Sequence, residues 1–292
     1  MLDQTQGPRR KIAIVGGGIS GLSAAYYLAP YHDVTLYEAA PRLGGHARTV
    51  MAGKNRDQPV DTGFIVFNKA NYPHMVRLFQ SLDVPIVTSD MSFAASLRGG
   101  KIEYGLRNLR ALFAQPKNLV NPKFLRMVRD ILKFNKDGLE ASKEEGLTIG
   151  GLLVKLGLSD YFADHYLLPF SGAIWSTPKE KIMDFPAKTM VQFFDNHALM
   201  SANGQHQWYT VQGGSQEYVR RLGASMFSRG VDVRLASPIQ AVRRTTTGVD
   251  VKVHGGDWEP FDEVVFATHS DNTLAMLSDA PEVETNTLGA VK

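Results

Sequence analysis

Between Lys11 and Ala29 the chain runs through an apolar segment, a glycine turn and a stretch of helical periodicity, and this order limits the possible folds more than any other segment. Lys11 to Val15 is short and apolar and leads into Gly16-Gly17-Gly18. Ile19 to Ala29 then places apolar residues at helical spacing, with Ala24 and Ala25 favouring a helix. Strand, turn and helix are predicted in that order. Pro30 ends the helix, and Asp33 to Tyr37 alternates into a second strand closed by Glu38. A right-handed crossover makes the two strands parallel neighbours, which predicts an α/β fold.

The turn has the spacing Gly16-x-Gly18-x-x-Gly21, and Glu38 follows Gly21 by 17 residues. Each part has a physical use. Gly16 makes the tight turn, Gly18 lets backbone come close to a pyrophosphate, and Gly21 lets helix and strand pack closely. Gly16, Gly18, Ile19, Ser20 and Gly21 are therefore candidate cofactor contacts at a helix N-terminus, whose free N–H groups and positive dipole end suit an anion. A carboxylate at Glu38 can accept both ribose hydroxyls of an adenosine and would repel a 2′-phosphate, which disfavours NADP. The alternative is a glycine turn that holds no ligand.

From about Asn68 the pattern becomes mainly helical. Tyr72 to Leu82 reads as a helix, Ser92 to Leu97 and Lys101 to Tyr104 as a hairpin about Arg98-Gly99-Gly100, and Leu106 to Phe113 and Phe124 to Phe134 as amphipathic helices. Thr148 caps another helix that runs to Leu156 and stops at Gly157. Strand texture returns at Gln207 to Val211. A helix is predicted from Gln216 to Phe227, followed by strands at Val231 to Leu235, Ile239 to Thr245, Gly248 to Val253 and Glu263 to Ala267, the last of them buried. The domains predicted are residues 1–68 with 206–292, and an inserted, mainly helical 69–205.

The chain of 292 residues has no cysteine, which excludes disulfides, thiolate zinc sites, iron–sulfur clusters, a cysteine nucleophile and a cysteinyl cofactor link. The eight histidines show no HExxH or related pairing, so no metal site is expected, and there is no GxSxG elbow or P-loop. His165 and Asp164, near Tyr161, read as helix-surface residues. Net charge is +3, too small to imply a nucleic-acid partner. It is unevenly spread: Lys101 to Lys136 holds nine basic and two acidic residues, a local +7 that leaves −4 for the remainder. A solvated helix face is the plain explanation, and peripheral contact with anionic lipid or an acidic carrier the sharper one. No apolar run is long enough to span a membrane and no signal peptide precedes Lys11, so a soluble, cytoplasmic protein is expected.

Glu38-Ala39, Arg42-Leu43-Gly44-Gly45-His46-Ala47-Arg48-Thr49 and Asp61-Thr62-Gly63, taken together, resemble the flavin-dependent amine oxidase superfamily, most closely its bacterial amine-oxidase-like group. The resemblance implies a glutathione-reductase-type FAD domain formed by both ends of the chain, a substrate domain between them, non-covalent FAD, and hydride transfer to flavin from an amine or an unsaturated, lipid-like small molecule. It assigns Glu38, Ala39, Arg42, Gly44, Gly45 and His46 to a second glycine loop against the cofactor, where Arg42 would meet phosphate. Many members have arginine directly after the paired glycines; this chain has His46, with Arg48 two residues later. By the same resemblance, Gln212-Gly213-Gly214-Ser215 marks the return into the FAD domain, Ile239 to Val242 is the segment whose backbone meets the adenine, with Val242 the contact, and Ala267 and Thr268 end a strand beside the cofactor. An open α/β sheet binds its ligands at that end of a strand.

The segment Leu167 to Ser176 resembles the group's substrate region. Phe170 and Trp175 would line an apolar cavity or pack a core, and Trp208, with His197, His206 and Tyr209, is a weaker candidate for the same cavity. No side chain is assigned as acid or base, and the lysine that amine oxidases place near flavin has no counterpart. Members of the family continue beyond the point matched by Gly289-Ala290-Val291-Lys292, so the resemblance implies a longer parent protein. The competing expectations are a dinucleotide-binding protein without catalysis and a lipid-surface protein.

Overall fold

A computed structural model describes residues 7–175, 178–200 and 206–291. The chain divides into two compact units, one of Met1–Phe67, Tyr72–Thr88 and Tyr209–Lys292, the other of Asn68–Asn71 and Ser89–Trp208.

The first unit opens with β1 (Lys11–Val15), α1 (Ile19–Leu28) and β2 (Asp33–Tyr37). A hairpin follows, β3 (Thr49–Ala52) and β4 (Gln58–Asp61), then β5 (Phe67–Asn68), α2 (Pro73–Ser81) and β6 (Ile86–Ser89). The chain returns through β9 (Trp208–Val211), α10 (Gln216–Ser228) and β10 (Asp232–Arg234). A meander of β11 (Ile239–Arg244), β12 (Val249–Val253) and β13 (Trp258–Phe261) leads to β14 (Glu263–Phe266), α11 (Ser270–Met276) and α12 (Glu282–Gly289).

The parallel sheet has the order β10-β2-β1-β14, with Ile14 opposite Leu36 on one side and Val265 on the other. Successive side chains of β1 point to opposite faces. Ile12 and Ile14 pack with Leu22 and Ala25 of α1 and Leu222 and Met226 of α10, whereas Ala13 packs with Tyr37 and with Val242, Val251 and Phe261 of the meander. Both faces of the sheet are thus covered, which explains why β1 is an unbroken apolar run. β14 was expected to be buried, but among the described residues it is an edge strand, and Val264, Val265 and Phe266 are only half-buried.

Residues 72–88 were assigned to the insert by sequence, yet they cluster with the first unit. The reason is local bonding. Arg221 of α10 donates to the carbonyls of Leu82 and Asp83 at 3.2 and 2.7 Å, and Tyr26 of α1 reaches Ser81.

In the second unit, β7 (Ala94–Leu97) and β8 (Ile102–Gly105) form a hairpin through Arg98, Gly99 and Gly100, all at positive φ. The helices are α3 (Leu109–Leu112), α4 (Pro122–Ala141), α5 (Ile149–Lys155), α6 (Asp160–Phe162), α7 (Leu168–Trp175), α8 (Lys179–Ile182) and α9 (Ala187–Asn196). α3 is shorter than predicted because the Leu106 N–H is bonded to the Phe93 carbonyl and Asn108 starts the turn. α4 is longer than predicted: Asn121 caps it, Pro122 takes its first position, and its apolar stripe continues past Phe134 to Gly138. Thr148 caps α5 through the Gly151 N–H, and Gly157 follows at φ 60°. The core is strongly aromatic, with Phe124, Phe134, Phe162 and Phe194 at or near zero exposure.

His165 does not lie on a helix surface as expected. A π-helical turn at Ala163–Leu167 rotates it inward to 3% exposure, stacked on Tyr161 with ring centroids 3.9 Å apart. Asp130 is also buried. It accepts the Ser159 N–H at 3.0 Å and the Ser159 hydroxyl at 2.5 Å, with Arg126 and Arg129 at 4.0 and 3.9 Å. Asp130→Asn should lower stability by about 1–2 kcal/mol, since an amide keeps one acceptor and loses the charge; an unchanged urea midpoint would refute this.

Candidate functional site

The first glycine turn is built from contacts that tolerate no side chain at two positions. Gly16 has φ 109°, donates its N–H to the Tyr37 carbonyl at 2.8 Å, and would place a Cβ 2.6 Å from the Ala267 oxygen. A Cβ on Gly21 would stand 1.8 Å from the Gly16 oxygen, so α1 lies against its own entry turn. Gly18 differs: it is the N-cap of α1, and a Cβ there would meet nothing within 4 Å. The space over Gly18 is open, and the first-turn N–H groups of α1 have neither intrahelical partners nor a capping side chain. This is a cradle for an anion of pyrophosphate size. Ile19 is half-buried against the core and Ser20 is exposed.

Gly17 was not singled out by sequence, although it joins the site together. Its N–H donates to Glu38 Oε2 at 2.6 Å, and its carbonyl accepts from the Gly44 N–H at 2.8 Å. The only signal was the middle glycine of the Gly16-Gly17-Gly18 triplet, which the motif spacing left unused. Glu38 also accepts from the Ala40 N–H at 2.7 Å, beside the exposed Ala39. The carboxylate therefore shapes the turn as well as offering its remaining lone pairs outward.

The second loop stacks on the first by backbone. Gly44 and Gly45 have φ of 109° and 55°, and a Cβ on Gly45 would lie 3.0 Å from the Gly18 Cα. Arg42 was expected to meet phosphate; here its guanidinium donates to the carbonyls of Leu43, Gly45 and Ala47 at 3.3, 3.0 and 3.4 Å. It braces the loop from within. His46 stacks at 6.0 Å on His269, a residue the sequence did not single out, just beyond the end of β14.

Of the far-end candidates, Ala267 and Thr268 are brought against Gly16, with Thr268 Cγ2 3.3 Å from where a Gly16 Cβ would be. The Thr268 hydroxyl is bonded to Thr273 at 2.8 Å. The Val242 side chain is in the core and its carbonyl accepts the Ser278 N–H at 2.9 Å. The core position of the side chain follows from its inward register in β11.

The return into this unit is anchored at Asp61. Its carboxylate accepts the Ser215 N–H at 2.9 Å, the Ser215 hydroxyl at 2.7 Å and the Thr49 hydroxyl at 2.5 Å, which ties the β3–β4 hairpin to the start of α10. One turn on, hydrogen bonds from Arg220 and then Arg221 hold the Glu217 carboxyl down from about 4.5 to about 2. Because the folded value is the lower one, this contribution is present above about 4.5 and is lost as pH falls towards 2. Glu217 is 22% exposed but Arg220 is 65% exposed, so the pairing is screened by water and Glu217→Gln should cost only about 0.5 kcal/mol near neutrality. The two proteins should converge in urea midpoint on acidification, and a constant gap would exclude the linkage.

Phe170 is 5% exposed and packs on Phe93, Tyr166 and Phe194. Trp175 is half-buried against Phe185, Phe193 and Phe194. Trp208 stacks on His197, whose Nδ1 donates to the Phe193 carbonyl at 2.8 Å. These aromatics are members of packed ring clusters within the second unit, which is the core reading of the two that the sequence left open. His206 donates to the Asn196 carbonyl at 3.1 Å, and Ser176 lies outside the described residues. Among the described residues no cluster of three or more His, Asp or Glu could hold a metal, and no helix is long and apolar enough to cross a membrane.

Comparison with known proteins agrees with this geometry. The model of the family described as flavin containing amine oxidoreductase matches residues 19–286. An L-amino acid oxidase of Cerastes cerastes is 55% identical over 49 residues, 16% of this chain and 9% of its own length. A 15-cis-phytoene desaturase of Glycine max is 25% identical over 287 residues, 92% of this chain and 49% of its own length. The solved structure of cyclohexylamine oxidase from Brevibacterium oxydans superposes with a TM-score of 0.69 at 16% identity, covering 97% of this chain and 63% of that one. The likeness is one of fold, α/β with a Rossmann-like dinucleotide domain. This chain spans about half the length of the desaturase and under two thirds of the oxidase.

Proposed function

We propose, on the premise that this chain belongs to the flavin-containing amine oxidoreductases, that it holds FAD non-covalently on its paired glycine loops and serves the transfer of hydride from an amine or an unsaturated, lipid-like substrate to the flavin. The observation that carries this reading is the open space over Gly18, enclosed by backbone that Gly16, Gly17, Gly44 and Gly45 hold in place. In it, the N–H groups at Ile19, Ser20 and Gly21 bind the pyrophosphate, and Glu38 accepts the ribose hydroxyls with the lone pairs that Gly17 and Ala40 leave. Arg42 keeps the second loop in shape, and the Ala267 carbonyl and Thr268 bound the site at the end of β14. Bound there, FAD supplies a ring that accepts hydride, a chemistry that no side chain offers. In this proposal residues 1–68 with 206–292 form the cofactor domain, joined by 72–88, and the rest of 69–205 the substrate domain.

The competing reading is cofactor binding without turnover. Denaturing the purified protein and identifying the released cofactor tests the first part. A yellow protein that releases FAD and bleaches anaerobically with amines supports the proposal. Release of FAD with no bleaching by any amine or unsaturated lipid selects the second reading, and a protein that remains colourless after reconstitution overturns both.

A further inference from the structure

The excess charge of the second unit is concentrated on one run of surface. Between Arg107 and Lys136 there are eight cations and one acid, Asp130, which is 2% exposed. The same run holds five large aliphatic side chains that face water: Leu109, Leu119, Val120, Leu125 and Leu132, at 75, 54, 81, 43 and 63% exposure. Monomeric proteins scatter such residues singly. Here they share a run with cations, and α4 shows the arrangement. Leu125, Arg129, Leu132 and Lys136 follow one another at spacings of four, three and four, which is a single stripe along the helix, and all four are exposed. Arg126 and Lys133 flank that stripe, while Phe124, Met127, Phe134 and Gly138 occupy the buried face. Helix packing therefore uses the other side of α4 and leaves this one uncovered.

The segments before α4 continue the pattern. Asn108 caps α3 with Leu109 pointing outward, and a 3-10 turn at Pro116–Val120 leads directly into the Asn121 cap of α4, presenting Leu119 and Val120 beside Lys117 and Lys123. Arg107 meets Asp90 at 3.3 Å, and Arg126 and Arg129 are partly offset by Asp130, whereas Lys123, Lys133 and Lys136 have no ion pair among the described residues. We infer that this face, from α3 through α4, docks on an anionic lipid bilayer. Charge complementarity decides the occupant: cations would sit at the level of acidic headgroups, and the leucines and Val120 between them would enter the acyl boundary, as an interfacial amphipathic surface requires. An acidic protein would use the cations but leave five separate aliphatic side chains exposed.

The inference is independent of the cofactor and can be tested on the full chain by co-sedimentation with vesicles. Phosphatidylcholine alone is compared with phosphatidylcholine containing about a quarter phosphatidylserine, near physiological salt. Binding is expected on the acidic vesicles only, weakening as salt is raised. Arg129→Gln, Lys133→Gln and Lys136→Gln combined should lower the partition by about tenfold to a hundredfold, and Leu119→Ser, Val120→Ser and Leu132→Ser combined by about tenfold. These positions are exposed, and unchanged circular dichroism confirms that each variant is folded. Equal partition on neutral and acidic vesicles overturns the inference. So does loss of binding in the basic variant alone with equal binding of the parent to duplex DNA, which would make the face a general polyanion surface.

Discussion

Gly21→Ala is expected to destabilise the first unit by about 3–5 kcal/mol, near the upper end of what a single substitution does. The added methyl would stand 1.8 Å from the Gly16 oxygen and 3.2 Å from the Ala267 Cβ. Neither neighbour is the end of a flexible side chain, so relief requires α1 to move off the strands it covers. That movement would disturb the packing of Leu22 and Ala25 against Ile12 and Ile14. Gly18→Val provides the contrast. At φ −77° any residue is tolerated and the space is free, so stability should fall by no more than about 1 kcal/mol for a poorer N-cap. The valine would nevertheless fill the cradle, and FAD affinity should drop by about a hundredfold, or ~3 kcal/mol. Urea denaturation and flavin titration of the two variants separate the effects. Native affinity in Gly18→Val would move the pyrophosphate away from this helix terminus, and a native midpoint in Gly21→Ala would refute the close packing.

The second large effect lies away from the glycines. Asp61→Ala removes the acceptor of the Ser215 N–H and hydroxyl, and Ser215 has no exposure to water. Two buried donors without partners should cost about 2–4 kcal/mol together. Thr49 loses its bond as well, although its hydroxyl still accepts from the Gln216 N–H at 3.0 Å. Asp61→Asn retains one acceptor oxygen and should cost about half as much. If the network instead serves only the cofactor, both variants will keep the parent's urea midpoint and differ only in flavin affinity.

Local pattern carried the strand–turn–helix–strand opening because its decisive contacts are short in sequence: Gly21 meets Gly16 five residues earlier, and apolar periodicity reports on one element at a time. The caps of α5 and the turn of the β7–β8 hairpin were readable for the same reason, each being set by residues within a few positions. Failures followed distance. Asp61 and Ser215 are separated by 154 positions, and nothing in the Asp-Thr-Gly stretch indicates which helix it caps. β14 has the composition of a buried strand, but its place in the sheet order decides its exposure. A π-helical turn reversed the direction of His165 without altering the apolar pattern around it. Phe170 and Trp175 show the limit most clearly, since an aromatic ring that lines a cavity and one that fills a core have the same sequence signature.

Local sequence was therefore enough for the α/β class and for the conformation of Gly16 and Gly21, because sterics within one turn permit nothing else there. Which backbone groups face each other across the two loops, and which acid or hydroxyl satisfies a buried donor, were decided only when distant segments came together. An unpaired buried polar group is costly whatever its place in the sequence, so its partner is selected by proximity in the folded chain.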